Sequence, residues 1–168
     1  EYFMADSVLF VFVITQDVFQ GIRLVKKFPL DSWMSDFRNS VQAYPGASGT
    51  AATTLSATYA NRAFRIFQNV VAPVQAAVDL PEKLIIIPDG ALSYLPFEAL
   101  LCEQPVDVQK FKQHHYLLRD YQISYGYSAT QLADLNAAPV VQGTKTLLAV
   151  APDFNNNPYG LRPLQYNR

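Results

Sequence analysis

Cysteine is almost missing from this sequence: 168 residues contain one, Cys102. A single thiol cannot form an internal disulfide framework, and it excludes every zinc or iron–sulfur site built on several cysteines. Charge of one sign is lacking too. Thirteen Lys and Arg face 14 Asp and Glu, for a formal net charge of −1, so nothing favours strong nonspecific attraction to nucleic acid or to an anionic membrane. Long apolar runs are also missing. The longest near the start, Val8 to Ile14, falls far short of the ~20 residues that cross a bilayer and has no basic region before it. What remains is an ordinary globular composition, half hydrophobic. At this length the core is large enough to need neither metal nor disulfide. One domain is expected over residues 1–168, with a hairpin at 1–28, a helical part at 29–80 and an α/β part at 81–168. The abrupt start at Glu1-Tyr2-Phe3 and the stop at Tyr166-Asn167-Arg168 lead to the expectation that both ends continue in a longer protein.

Val8-Leu-Phe-Val-Phe-Val-Ile14 is uninterrupted, β-branched and aromatic, and predicts a strand covered on both faces. After Gln16-Asp17 the segment from Val18 to Val25 mixes polar and apolar residues, as the second arm of a hairpin with one wetter face would, with Gly21 expected at a bulge. Leu30, Trp33, Met34, Phe37, Val41 and Tyr44 recur at spacings of three and four, which predicts one side of a helix capped by Asp31 or Ser32. Tyr44-Pro-Gly-Ala-Ser-Gly-Thr50 reads as a loop. The apolar stripe Leu55, Tyr59, Ala63, Ile66, Phe67 and Val70 predicts a second, stronger helix that Pro73 ends or kinks.

Beyond Asp79-Leu-Pro81 the period changes. Lys83-Leu-Ile-Ile-Ile87 has the character of a central strand, with turn chemistry in Pro88-Asp89-Gly90. A short strand or helical piece is expected around Pro96, and Cys102 to His115 should be exposed. Tyr121 to Tyr127 predicts another strand, Ser128 a cap for a helix through Leu135, and Thr146 to Ala151 a further strand. Strands and helices alternate, so the expected class is α/β, with a mixed sheet because the first strands form a hairpin.

Few residues carry chemistry. A thiol nucleophile needs a neighbouring base or positive charge, and the available bases are His114 and His115. Cys102 follows Ala99-Leu-Leu101 and reads more simply as a small packed residue. The adjacent histidines point apart on a strand or a helix, which disfavours chelation by both. Asp153-x-Asn155-x-Asn157 resembles the start of a calcium loop, yet Pro158 stands at the turn glycine and Leu164 at the bidentate acid. Gly46-Ala-Ser-Gly49 lacks the lysine of a phosphate-binding loop, and Gly126-Tyr-Ser128-Ala-Thr130 lacks the second glycine of a nucleophile elbow. Asp89 stands beyond the carboxyl end of a strand, where a carboxylate can bind substrate or, more simply, its own turn. No catalytic, cofactor-binding or metal-binding residue is assigned.

Three blocks in order, Lys83 to Leu101 (KLIIIPDGALSYLPFEALL), Tyr116 to Leu132 (YLLRDYQISYGYSATQL), and Leu147 to Phe154 (LLAVAPDF) followed by Leu161 to Tyr166 (LRPLQY), resemble the amino-terminal part of a CHAT domain, a caspase-like fold related to separase. Glu1 to Val25 resembles the hairpin that joins tetratricopeptide repeats to such a domain. The resemblance implies a partial caspase-like architecture in an intracellular, bacterial and cytoplasmic protein, and proteolysis through a thiolate without cofactor. It places the base in a His-Gly element and the nucleophile in a Ser-Ala-Cys element, and neither string occurs here. By resemblance, the chain is therefore a non-catalytic amino-terminal subdomain, inactive alone. Its implied partners are the remainder of the domain and preceding repeats, with self-association through an exposed strand edge and no nucleic acid or membrane. Two other readings stay open: an interaction scaffold using the sheet and the helix of Tyr59 and Phe67, and a small-molecule or nucleotide sensor.

Overall fold

The computed structural model of the chain describes residues 1–137. Three strands, β1 (Tyr2–Met4), β2 (Val8–Ile14) and β3 (Phe19–Val25), form an antiparallel sheet in sequence order. Register runs without interruption from Val8↔Val25 to Ile14↔Phe19, so Gly21 sits opposite Phe12 and makes no bulge. A Cβ on Gly21 would lie 3.7 Å from the Phe12 ring, which covers the glycine. Leu9, Val11 and Val13 enter the core. The opposite face of β2 is only half covered, contrary to the expectation of a strand buried on both sides. There the aromatics shelter one another, with Phe3 and Phe10 at 6.5 Å between centroids and Phe12 stacked on Phe19 at 6.5 Å.

Helix α1 (Leu30–Ala43) buries Leu30, Trp33, Met34, Phe37 and Ser40. The stripe continues through Ser40 rather than Val41, which is exposed; the Ser40 hydroxyl satisfies itself by donating to the Phe37 carbonyl at 2.7 Å. Neither Asp31 nor Ser32 caps the helix. Pro29 is the N-cap residue, and its carbonyl accepts from Trp33 N–H at 3.0 Å. A short 3₁₀ turn, Tyr44–Gly46, leads into α2 (Gly49–Ile66), which starts earlier than its apolar stripe suggests because Gly49 takes a left-handed φ of +57°. The two helices pack antiparallel. Arg62 binds Asp36 at 2.9 Å, Tyr59 meets Phe37 at 5.4 Å, and Arg65 lies over Trp33 at 5.6 Å.

Pro73 does not end the second helix. A π-helical segment, Phe67–Val71, intervenes before α3 (Ala72–Ala77). The wider turn accommodates a residue that has no N–H to donate and whose ring would crowd the carbonyl four positions back. Ile66, Phe67, Val70, Val71 and Val74 stay buried through the change of pitch.

Strands β4 (Lys83–Ile86) and β5 (Gln122–Tyr125) pair in parallel, from Lys83↔Gln122 to Ile86↔Tyr125. Their long connection is a series of 3₁₀ turns whose Leu92, Phe97, Leu100, Leu101 and Leu117 are fully buried. Helix α4 (Ala129–Ala137) follows β5. The mixed α/β architecture is as the pattern indicates, with the antiparallel and parallel strands in separate sheets. Tyr2 N–H donates to the Ile87 carbonyl at 2.8 Å and ties β1 to the end of β4. The expected strand at Thr146 to Ala151 lies outside the described residues.

Candidate functional site

Parallel strands that stop side by side leave a rim past their carboxyl ends, where α/β sheets place ligands. Here β4 and β5 end together, with Gly126 N–H donating to Ile86 at 3.0 Å. Asp89 stands on that rim, but its carboxylate is engaged. Oδ2 accepts from Met4 N–H at 2.7 Å, while the Asp89 carbonyl accepts from Leu92 at 3.2 Å. The side chain thus holds β1 rather than a substrate or its own turn. Gly90, at φ +56°, completes the turn against the Met4 side chain, 3.5 Å from where a Cβ would be. Asp89→Ala should lower stability by about 1.5–3 kcal/mol, the worth of a backbone hydrogen bond to a charged acceptor. Urea unfolding with unchanged slope would read that loss, and an unaltered midpoint would contradict the assignment.

Gly126 explains why the Gly126-Tyr-Ser128 string is packing and not an elbow. A Cβ there would lie 3.0 Å from Leu132 and 3.3 Å from Ile87, so a glycine lets α4 close on the strand end. The Ser128 hydroxyl is 3.5 Å from Gln131 N–H, at the outer limit of a cap. Gly46 lies in the 3₁₀ turn and Gly49 opens α2, with no phosphate cradle between them; the nearby Arg62 is committed to Asp36. Asp153, Asn155 and Asn157 lie outside the described residues. An apolar groove of about 520 Å³ runs between the two sheets, floored by Val13, Val71, Val74, Ile85 and Leu132.

The two histidines part company as their adjacency requires. His114 is buried at 2% exposure, its Nε2 3.0 Å from the Asp107 carbonyl and its ring against Phe111 and Tyr116. His115 turns outward. An isolated antiparallel bridge, Leu101↔Tyr116, folds the connection back on itself, with Cys102 N–H donating to His115 carbonyl at 2.9 Å and Leu117 N–H to Leu100 at 2.9 Å. The following 3₁₀ turn, Leu117–Arg119, delivers Asp120 to the same spot. The donor atoms of Cys102, His115 and Asp120 consequently lie within 4.8 Å of one another, and theirs is the cluster of three metal-ligating side chains found among the described residues. Asp120 is not marked by any local pattern, because nothing near it in the chain announces the bridge.

The order of the three groups decides their chemistry. In a thiol peptidase the imidazole stands between sulfur and carboxylate, taking the thiol proton while the carboxylate orients it. Here the carboxylate stands in the middle: Cys102 Sγ donates to Asp120 Oδ2 at 3.5 Å and His115 Nε2 lies 2.8 Å from Asp120 Oδ1. A thiolate at that position would be partly desolvated and would face a carboxylate. Burial first, then the Asp120 hydrogen bond and charge, and then the Glu103 charge, push the Cys102 thiol up to about 12. An activated nucleophile needs the opposite shift.

The family model of the CHAT domain matches residues 61–167, more than half of the chain. No curated protein and no solved structure matches. The matched span contains α3, both parallel strands, the turns between them, α4 and the Cys102–His115–Asp120 cluster, and with that match the chain belongs to the CHAT domain family.

Proposed function

We propose that this chain is the non-catalytic amino-terminal portion of a CHAT-family, caspase-like cysteine endopeptidase, supporting a catalytic half and passing on a signal from preceding tetratricopeptide repeats. The observation that carries this reading is the state of its one thiol: Cys102 is bonded to a carboxylate that also takes the neighbouring imidazole, so the imidazole is not the group that meets the thiol proton. The sequence also has neither a His-Gly nor a Ser-Ala-Cys string. The parallel pair β4–β5 suits a supporting role, since a further parallel strand can add to it. The setting in this reading is bacterial and cytoplasmic, with hydrolysis confined to the partner half and no cofactor. No helix among the described residues is long and apolar enough to cross a membrane.

The test is reconstitution. The chain alone should leave peptide substrates uncut, and cleavage should appear when it is combined with a downstream segment of its parent protein that carries both strings. Cleavage by the chain alone that disappears in Cys102→Ala would overturn the reading.

One observation favours a second reading, an interaction scaffold from a proteolytically inactive relative. The outer face of the three-stranded sheet presents Phe3, Ile14, Phe19 and Val25 to solvent, Phe19 at 74% exposure. The helix face of Tyr59 and Phe67 cannot take part, because both side chains are buried. Among the described residues β3 pairs with β2 alone, and an unpaired strand edge recruits other strands. Self-association through that edge is the corresponding expectation: sedimentation velocity should show a dimer growing with concentration, and a monomer throughout would remove this part of the proposal.

A further inference from the structure

Cys102, His115 and Asp120 offer one sulfur, one imidazole nitrogen and one carboxylate oxygen on a surface shared with no other function derived above. We propose that these three side chains bind a single zinc ion, with the fourth position open to water.

Geometry is the first argument. Zinc takes sulfur at about 2.3 Å and nitrogen or oxygen at about 2.0–2.2 Å, so the edges of a tetrahedral site measure about 3.3–3.8 Å. The sulfur–carboxylate distance is 3.5 Å, the imidazole–carboxylate distance 2.8 Å, and no pair of donor atoms exceeds 4.8 Å. These values bracket the edges of the site. Opening the His115–Asp120 hydrogen bond by less than an ångström, and bringing the sulfur and the imidazole nitrogen from within 4.8 Å to about 3.6 Å, would admit the ion.

Placement is the second. The backbones of all three ligands are already fixed by hydrogen bonds, through Cys102 N–H to His115, Leu117 N–H to Leu100, and Asp120 N–H to Leu117 at 3.1 Å. Little chain entropy is then lost on binding. The side chains of His115 and Asp120 are 40% and 38% exposed, which leaves the ion a path from solvent. In sequence the ligands read Cys-x12-His-x4-Asp. The mixture of thiolate, imidazole and carboxylate suits zinc over the hard cations calcium and magnesium, which prefer oxygen throughout. Binding exchanges the thiol proton, released to solvent, for a zinc–sulfur bond. The ion would clasp the base of the loop of residues 103–114 to the turn that enters β5.

The purified full chain, stripped with a chelator and dialysed against zinc, should retain one equivalent with a dissociation constant of about a micromolar or below. Cobalt(II) in the same site should give a sulfur-to-metal charge-transfer band and the strong visible bands of a four-coordinate ion. Cys102→Ser should remove the charge-transfer band, and His115→Gln and Asp120→Asn should each weaken zinc binding by at least about tenfold. Glu103→Gln, beside the site, should bind as the parent chain does. Circular dichroism checks each variant's fold; should Cys102→Ser fail to fold, Asp120→Asn carries the comparison. No retained zinc, a cobalt spectrum without sulfur ligation, or binding unaffected by His115→Gln and Asp120→Asn would overturn the proposal.

Discussion

Phe97→Ala is expected to remove about 3–5 kcal/mol of stability, the range for deleting a fully buried aromatic ring. Phe97 has no solvent exposure and lies where the two sheets meet. Its ring is 5.5 Å from that of Tyr2 on β1 and 6.4 Å from that of Tyr125 on β5. The backbone around it is pinned: Phe97 N–H donates to the Tyr125 hydroxyl at 2.9 Å, and that hydroxyl donates to Glu98 Oε2 at 2.6 Å. A pinned turn cannot collapse into the space left by the ring, so the cavity cost adds to the lost transfer energy. Phe19→Ala serves as contrast. With its ring largely in solvent and only the stacking on Phe12 to lose, it should cost no more than about 1 kcal/mol. Urea unfolding of both proteins measures the difference, and comparable small losses would show that Phe97 does not bridge the sheets.

The second large effect concerns the thiol. In metal-free buffer near neutral pH, iodoacetamide should label Cys102 at least about tenfold more slowly than free cysteine. A thiol near 12 has a thiolate fraction lower by about a thousandfold than an ordinary one. The greater nucleophilicity of a more basic thiolate recovers about thirtyfold of this. A residue that is only half-buried is also partly screened by solvent, so the smaller figure is the expected one. Asp120→Asn should speed labelling several-fold, because it removes the carboxylate that holds the proton and repels the thiolate. Slower labelling in Asp120→Asn would mean that the carboxylate activates the sulfur.

Local pattern made the hairpin, the two long helices and the parallel strands legible, because periods of 2 and 3.6 are properties of adjacent residues. Differences arise where a specific contact, near or far in the chain, overrides the pattern. Gly21 is covered by the ring of Phe12 across the strand pair, so it needs no bulge. Ser40 replaces Val41 on the inner stripe of α1, since its hydroxyl bonds within its own helix. Of the two outcomes open at Pro73, an end or a kink, the helix does not end, because a π turn precedes the proline. The same reason hid the cluster: Cys102 and His115 are separated by a polar loop, and only the bridge at Leu101 and Tyr116 brings them together and adds Asp120. Asp89 was recognisable as a strand-end carboxylate, but its partner, Met4 N–H, lies at the far end of the sequence.

If the one thiol of this chain is held as a thiol, the pH dependence of its alkylation shows it. With labelling of Cys102 followed by mass spectrometry in metal-free buffer, the rate should climb steadily from about pH 6 to about pH 10 without levelling, as for a group that titrates above that range. A rate that levels off below about pH 7, at a value faster than free cysteine, would reveal a stabilised thiolate in place of the held thiol.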